Sequence, residues 1–258
     1  MESQAQIGVA LRALANELIG VIDERLGLLT SGVQPDLVGR QCAAGGLARA
    51  RALLEGIILV GDGNRPDVVG VLLRTLYETY IVSLYLLLGG ADAVVEVMGD
   101  YAKSARTLAE KHGRPPSPGI ALWHALREAV GPKGPPVGRL NYEKIAGQVG
   151  GLLQRAGDPR GGKDRAMERY DLVYRVESQL SAHAGLGSMG QYVDWRGEPW
   201  AVRARPAVRS VGAEDHVVLA AVMTAHLASH VFRTFGLHTY TADLLYERID
   251  TLPEPEAE

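Results

Sequence analysis

Apolar residues recur along this chain at the alternating spacings of three and four that paint a stripe down a helix. Ile7, Leu11, Leu14, Leu18, Val21 and Ile22 fall on one side of a segment predicted as a helix over residues 3–28. A second helix is predicted over 36–59. It carries Cys42, Ala43, Ala44, Gly45, Gly46, Ala48 and Ala50, small enough for a neighbouring helix to approach closely. The turn GDGNRPD at 61–67 ends it and sets Pro66 near the start of a third helix, Val68 to Leu88, which stops at Gly89 and Gly90. That run is almost wholly apolar, so it is expected to be buried on most sides, at the centre of the fold.

Further helices are predicted over 92–111, with Val94, Val95, Val97, Met98, Tyr101 and Leu108 as its apolar side, and over 142–155, 163–183 and 213–235. The last holds Glu214 and Asp215 in its first turn, where the helix dipole favours acids. Residues 113–138 carry prolines at 115, 116, 118, 132, 135 and 136 around a short helical piece with Trp123 and Leu126, and read as a mobile loop excursion. The segment QYVDWRGEPWAVRARP, residues 191–206, alternates apolar and polar positions about Arg196, Gly197 and Glu198, which predicts a small β-hairpin. The acidic end, 251–258, is expected to be disordered. Together these elements predict a single all-α domain over 1–250, a multi-helix bundle around a buried central helix with the hairpin appended.

Composition narrows the classes. With 258 residues, 47% hydrophobic and 22% charged, the chain resembles a soluble, well-cored protein. A net charge of -3 gives no global basic field, so any nucleic-acid or anionic partner must be met by a local patch. The lone cysteine, Cys42, excludes an internal disulfide and a thiolate-based metal site and fits a reducing cytoplasm, the expected location. The first residues, MESQAQIGVALRALANELIG, have no basic leader and read as a helix, not a signal peptide. Val68 to Leu88 is long enough to cross a bilayer, but the charged residues at its middle favour a buried helix, and no membrane partner is expected.

Those charges are Arg74 and Glu78, which share one stripe with Asp67, Val71, Ile81 and Tyr85 and can pair within the helix. Three readings stand: a structural ion pair that fixes helix register, a ligand-binding or catalytic pair whose cost of burial is retained for function, or a plain surface pair. A second constellation is YDLVYRVESQLSAHAG, residues 170–185. Leu172, Val173, Val176 and Leu180 form an apolar stripe that His183 continues, and Tyr170, Tyr174, Glu177 and Ser181 form a hydroxyl-rich stripe beside it. His183 is either a hydrogen-bonded core histidine near a helix end or a functional one.

A third constellation is His226 and His230, one turn apart, with His216 further back. Imidazoles at i and i+4 can share a metal. No carboxylate or third imidazole stands beside them at helical spacing, so no bound metal or other cofactor is expected, and a helical metalloenzyme using this pair is held as an alternative. No glycine-rich phosphate loop or nucleophile elbow is present: GDGNRPD lacks the following lysine and hydroxyl, and Ser188 in AGLGSMG lacks the preceding strand. The basic run WAVRARPAVR, with Arg203, Arg205 and Arg209 near Trp195 and Trp200, is either a phosphate-contacting patch or a solvated hairpin.

LLRTLYETYIVSLYLL together with YRVESQLSAHAG resembles an uncharacterised bacterial all-helical family, over about residues 40–235, that pairs an Arg-x3-Glu helix with a later helix bearing tyrosine, serine and histidine. Arg74 and Glu78 match the first element; Tyr174, Ser178 and His183 resemble the second. More loosely the arrangement is similar to HEPN domains, helical bundles of prokaryotic defence and toxin systems, some of which cut RNA without metal through an arginine and a histidine. Here Arg175 and His183 are the nearby pair, with seven residues between them.

The resemblance implies a metal-independent RNA-cleaving hydrolase of a defence or toxin type. If the site is catalytic, Arg74 orients or neutralises an anionic group, Glu78 holds Arg74 or His183, and His183 is the general acid or base beside Tyr174 and Ser178; Tyr170, Arg175 and Glu177 are the expected ligand contacts. Two non-catalytic classes compete: a helical module binding a small anionic ligand, and a regulatory subunit that acts as a homodimer. In each case the site is expected between the central helix and the helix that ends at His183.

Overall fold

The computed structural model describes residues 2–29, 35–62, 66–113, 118–130, 139–177, 193–194, 201–202 and 213–251. Its helices are α1 (Glu2–Leu26), α2 (Pro35–Asp62), α3 (Pro66–Leu88), α4 (Gly90–His112), α5 (Pro118–Val130), α6 (Tyr142–Arg155), α7 (Lys163–Arg169), α8 (Ala213–Thr234) and α9 (Tyr240–Asp250), with a π-helical segment, Tyr170–Arg175, continuing α7. The all-α class follows directly.

The expected β-hairpin over 191–206 is corrected. Among the described residues no strand exceeds two residues, and the pairing is limited to Val193 opposite Val202 and Asp194 opposite Ala201. A lone two-stranded ribbon has too little buried face to be stable by itself in water, so alternation alone does not make one an element of the fold. The basic and aromatic residues of that segment, Trp195, Trp200, Arg203, Arg205 and Arg209, lie outside the described residues, as does the acidic end from residue 252.

The chain forms two compact units, one of residues 1–27, 47–80 and 168–258, the other of 28–46 and 81–167. In the first, α1 packs on α8 and α9. Leu11, Leu14, Ala15, Leu18 and Ile22 of α1 are buried, as the three-and-four stripe requires, and α8 buries Val217, Ala220, Ala221, Leu227, Ala228, Val231 and Phe232. The turn into α9 is a Schellman close: Gly236 takes φ +70, its N–H reaches Arg233 O at 3.1 Å, and Leu237 N–H reaches Phe232 O at 2.8 Å. Ser229 of α8 then donates to Asp243 Oδ1 of α9 at 2.5 Å.

In the second unit, Ala43, Leu86, Val94, Val95 and Leu126 form one buried cluster in which α4 meets α5. The α3–α4 corner is set by Gly89, whose N–H caps Tyr85 O at 2.8 Å, and by Gly90 at φ +67, a conformation that favours glycine. α6 begins at Asn141, whose side chain accepts from Lys144 N–H at 3.0 Å, an N-cap in the ordinary sense. Glu96 of α4 accepts from Tyr85 Oη at 2.7 Å and from Lys144 Nζ at 3.0 Å. Within the proline-rich stretch 113–138, α5 is a formed helix with Leu126 at its buried side.

Among the described residues, two helices, Val68–Leu88 and Asp215–Thr234, are long and apolar enough to cross a membrane. Within the protein, 50% and 72% of their apolar windows are buried, as they are in the core helices of a folded domain.

Candidate functional site

The first unit gathers most of the described site residues on three helices. From α3, Arg74 directs Nη2 to Glu78 Oε1 at 3.2 Å, one turn along the same helix, and to Tyr174 Oη at 3.1 Å. The guanidinium also lies over the Tyr174 ring, 4.8 Å from its centroid, where the face of the π-system attracts a cation. The pair is less deeply buried than the sequence led us to expect, with side chains 18% and 25% exposed. The α3 stripe runs to the surface at Val71, so the first turns of that helix are not enclosed on all sides.

Arg74 Nε is buried and makes no hydrogen bond among the described residues. A guanidinium carries five N–H donors, and one shut away from water without an acceptor costs about 1–3 kcal/mol. The arginine is thus held from one side by Glu78 and Tyr174 while presenting an unmet donor.

The tyrosine belongs to the π-helical segment, where the backbone widens between Tyr170 and Arg175. Such bulges are uncommon and recur at functional sites, because the wider turn re-aims the side chains that follow it. Here Tyr170 and Tyr174 stack, with centroids 5.0 Å apart and planes at 17°. Tyr77 of α3 tilts against both at 6.4 Å. Burial, reinforced by the neighbouring Tyr80 phenol, pushes the Tyr77 hydroxyl far above the ordinary phenol range, so it stays protonated through physiological pH.

This overturns the sequence reading of the inward side. Leu172 and Val176, assigned to the apolar stripe, are 54% and 37% exposed; Val173 of that stripe is buried as expected, and Tyr170 and Glu177 of the neighbouring stripe are buried with it. The hydroxyl-rich side turns inward because each polar group finds company there: the tyrosines stack, and Glu177 meets His216 Nε2 of α8 at 3.1 Å, both nearly inaccessible. Arg175 points outward, paired with Asp171 at 3.0 Å with both side chains half exposed, and its guanidinium sits 5.4 Å from the Tyr170 ring. His183 and Ser178 lie outside the described residues.

A further polar chain was not anticipated as a unit. Arg169 Nη1 donates to Tyr80 Oη at 3.4 Å, Tyr80 Oη meets His226 Nδ1 at 2.7 Å, and His226 Nε2 meets His230 Nε2 at 3.1 Å. Its signal was present in the sequence: Leu73, Tyr77, Tyr80 and Leu84 repeat at four, three and four, so both tyrosines belong to the core side of α3.

The arrangement can bind an anion beside a hydroxyl-bearing aromatic platform. No curated protein and no solved structure matches the chain. Over residues 42–198, which include Arg74, Glu78 and the whole tyrosine platform, it matches the family of unknown function DUF5677, and it belongs to that family.

Proposed function

We propose that the Arg74–Tyr174 site binds an anionic group, and that RNA phosphate is the anion it takes. The buried Arg74 Nε, which lacks an acceptor among the described residues, carries this reading, because an oxyanion there would satisfy it while Glu78 and Tyr174 keep the guanidinium oriented. The stacked pair Tyr170–Tyr174 suits the reading, since aromatic faces accept bases without regard to sequence. A net charge of -3 is no obstacle where recognition is confined to one arginine and a platform. In this proposal His183 is the general acid or base of a metal-independent, cytoplasmic RNA-cleaving enzyme, with Ser178 and Tyr174 as further catalytic residues.

The test is incubation of the protein with mixed RNA in the presence of a chelator, beside Arg74→Ala and His183→Ala variants checked for folding by circular dichroism. Cleavage lost in both variants supports the nuclease. RNA binding without cleavage, weakened in Arg74→Ala, supports a ligand-binding module. Wild-type RNA affinity retained by Arg74→Ala refutes the site.

A further inference from the structure

Two buried histidines of α8 make a contact of their own, outside the Arg74–Glu78–Tyr174 cluster. His226 and His230 are 1% and 6% exposed, and their Nε2 atoms face one another at 3.1 Å with ring centroids 4.8 Å apart. Taken as a hydrogen bond alone, this contact places one proton between two lone-pair sites. Protonating either ring would then add a charge to a dry, alanine-rich stretch of helix. The sequence expectation of no metal rested on spacing along the helix, which does not reveal that the two nitrogens converge.

We propose that His226 Nε2 and His230 Nε2 together hold one divalent transition-metal cation of the zinc type. Two imidazoles bound to a common ion at about 2.05 Å have their nitrogens about 2.9 Å apart at a right angle and about 3.3 Å apart in a tetrahedron, and the observed separation falls between. Imidazole suits zinc and its first-row neighbours, and the i, i+4 spacing brings both rings to one side of the helix. The ring nitrogen facing away from the pair is already engaged: Tyr80 Oη lies 2.7 Å from His226 Nδ1. An outer partner on that nitrogen fixes the ring and its tautomer and strengthens the ligand.

The protons balance without release. In the metal-bound state each neutral ring keeps its single proton on Nδ1, and His226 donates it to Tyr80 Oη. The remaining coordination positions fall to water or a carboxylate. An ion that binds the folded chain alone stabilises it, so the readout is the stability of the fold and not RNA binding at Arg74.

The full chain is stripped with chelator, titrated with Zn(II), desalted and assayed for bound metal, with melting temperature followed in parallel. One zinc per chain and a raised melting temperature are expected, with affinity reduced about 100-fold or more in His226→Gln and His230→Gln and about 10-fold in Tyr80→Phe. In a parallel Co(II) titration, the visible absorption of a nitrogen-ligated, low-coordinate ion should appear and be lost in both histidine variants. Wild-type protein that retains no zinc and shows no shift in melting temperature overturns the proposal, and that arm needs no variant to fold. Equal zinc retention by the glutamine variants overturns it too, marking adventitious surface binding.

Discussion

Replacing Glu78 by alanine tests how the Arg74 pair is held. At 3.2 Å, with an effective dielectric near 20, the gross Coulomb attraction is about 5 kcal/mol, most of it offset by the loss of hydration and of side-chain freedom. Exposed i, i+4 pairs retain about 0.3–0.5 kcal/mol, whereas stranding a fully buried partner costs about 3–5 kcal/mol. With side chains 18% and 25% exposed, and with Tyr174 still supplying a hydroxyl and a ring to Arg74, the expected loss for Glu78→Ala is about 1.5–2.5 kcal/mol. Urea denaturation measures it, as a lower midpoint at unchanged slope. Arg74→Met should cost less than Glu78→Ala, because it removes the orphaned Nε and leaves a carboxylate that water can reach. A loss below about 0.5 kcal/mol would make the pair an ordinary surface contact. Arg74→Met costing clearly more than Glu78→Ala would refute the assignment of Nε as an unmet donor.

Two further outcomes follow from packing and burial. Gly150→Ala in α6 should destabilise by about 1–3 kcal/mol, read as a lower melting temperature, because its Cβ would lie 2.5 Å from Gly162 O and 2.7 Å from Ala166 Cβ, and backbone cannot yield as a side chain can; an unchanged melting temperature contradicts the packing. Tyr77→Phe should flatten the alkaline loss of stability: the folded pKa is raised, so the unfolded chain ionises first, and stability is full below about pH 10 and falls as pH rises above it. Denaturation midpoints compared on either side of pH 10 check this, and a variant as pH-sensitive as the wild type would show that Tyr77 does not contribute.

Helix positions were largely legible in the sequence, since the stripes on α1, α4, α6 and α8 are regular and their ends carry glycine, proline or asparagine. α9 was also legible and was passed over: Ala242, Leu245, Tyr246 and Ile249 repeat at three, four and seven, and all four are buried. The π-helical turn was not legible, because it is selected by tertiary contacts of Tyr170, Tyr174 and Glu177, and nothing in YDLVYR distinguishes it from α-helix. For the same reason the inward side of that segment was misassigned: hydrophobicity ranks Leu172 above Glu177, but a buried carboxylate facing a buried imidazole has a partner that a one-dimensional pattern cannot supply.

The polar groups of the first unit have a common consequence for specificity. Arg74 of α3 reaches Tyr174 of the π-helical segment, Tyr80 of α3 reaches Arg169 of α7 and His226 of α8, and Glu177 reaches His216 of α8. Apolar contacts alone would tolerate a slip of α3 along its length, because leucine, valine and isoleucine are nearly interchangeable in shape on such a helix. A slip of one residue turns the helix by about 100°, which would carry Arg74 and Tyr80 away from their partners at once and leave several buried donors and acceptors unmet. The register of an otherwise uniform helix is therefore fixed by its few polar side chains, and the anion site and the histidine pair are positioned by the same constraint.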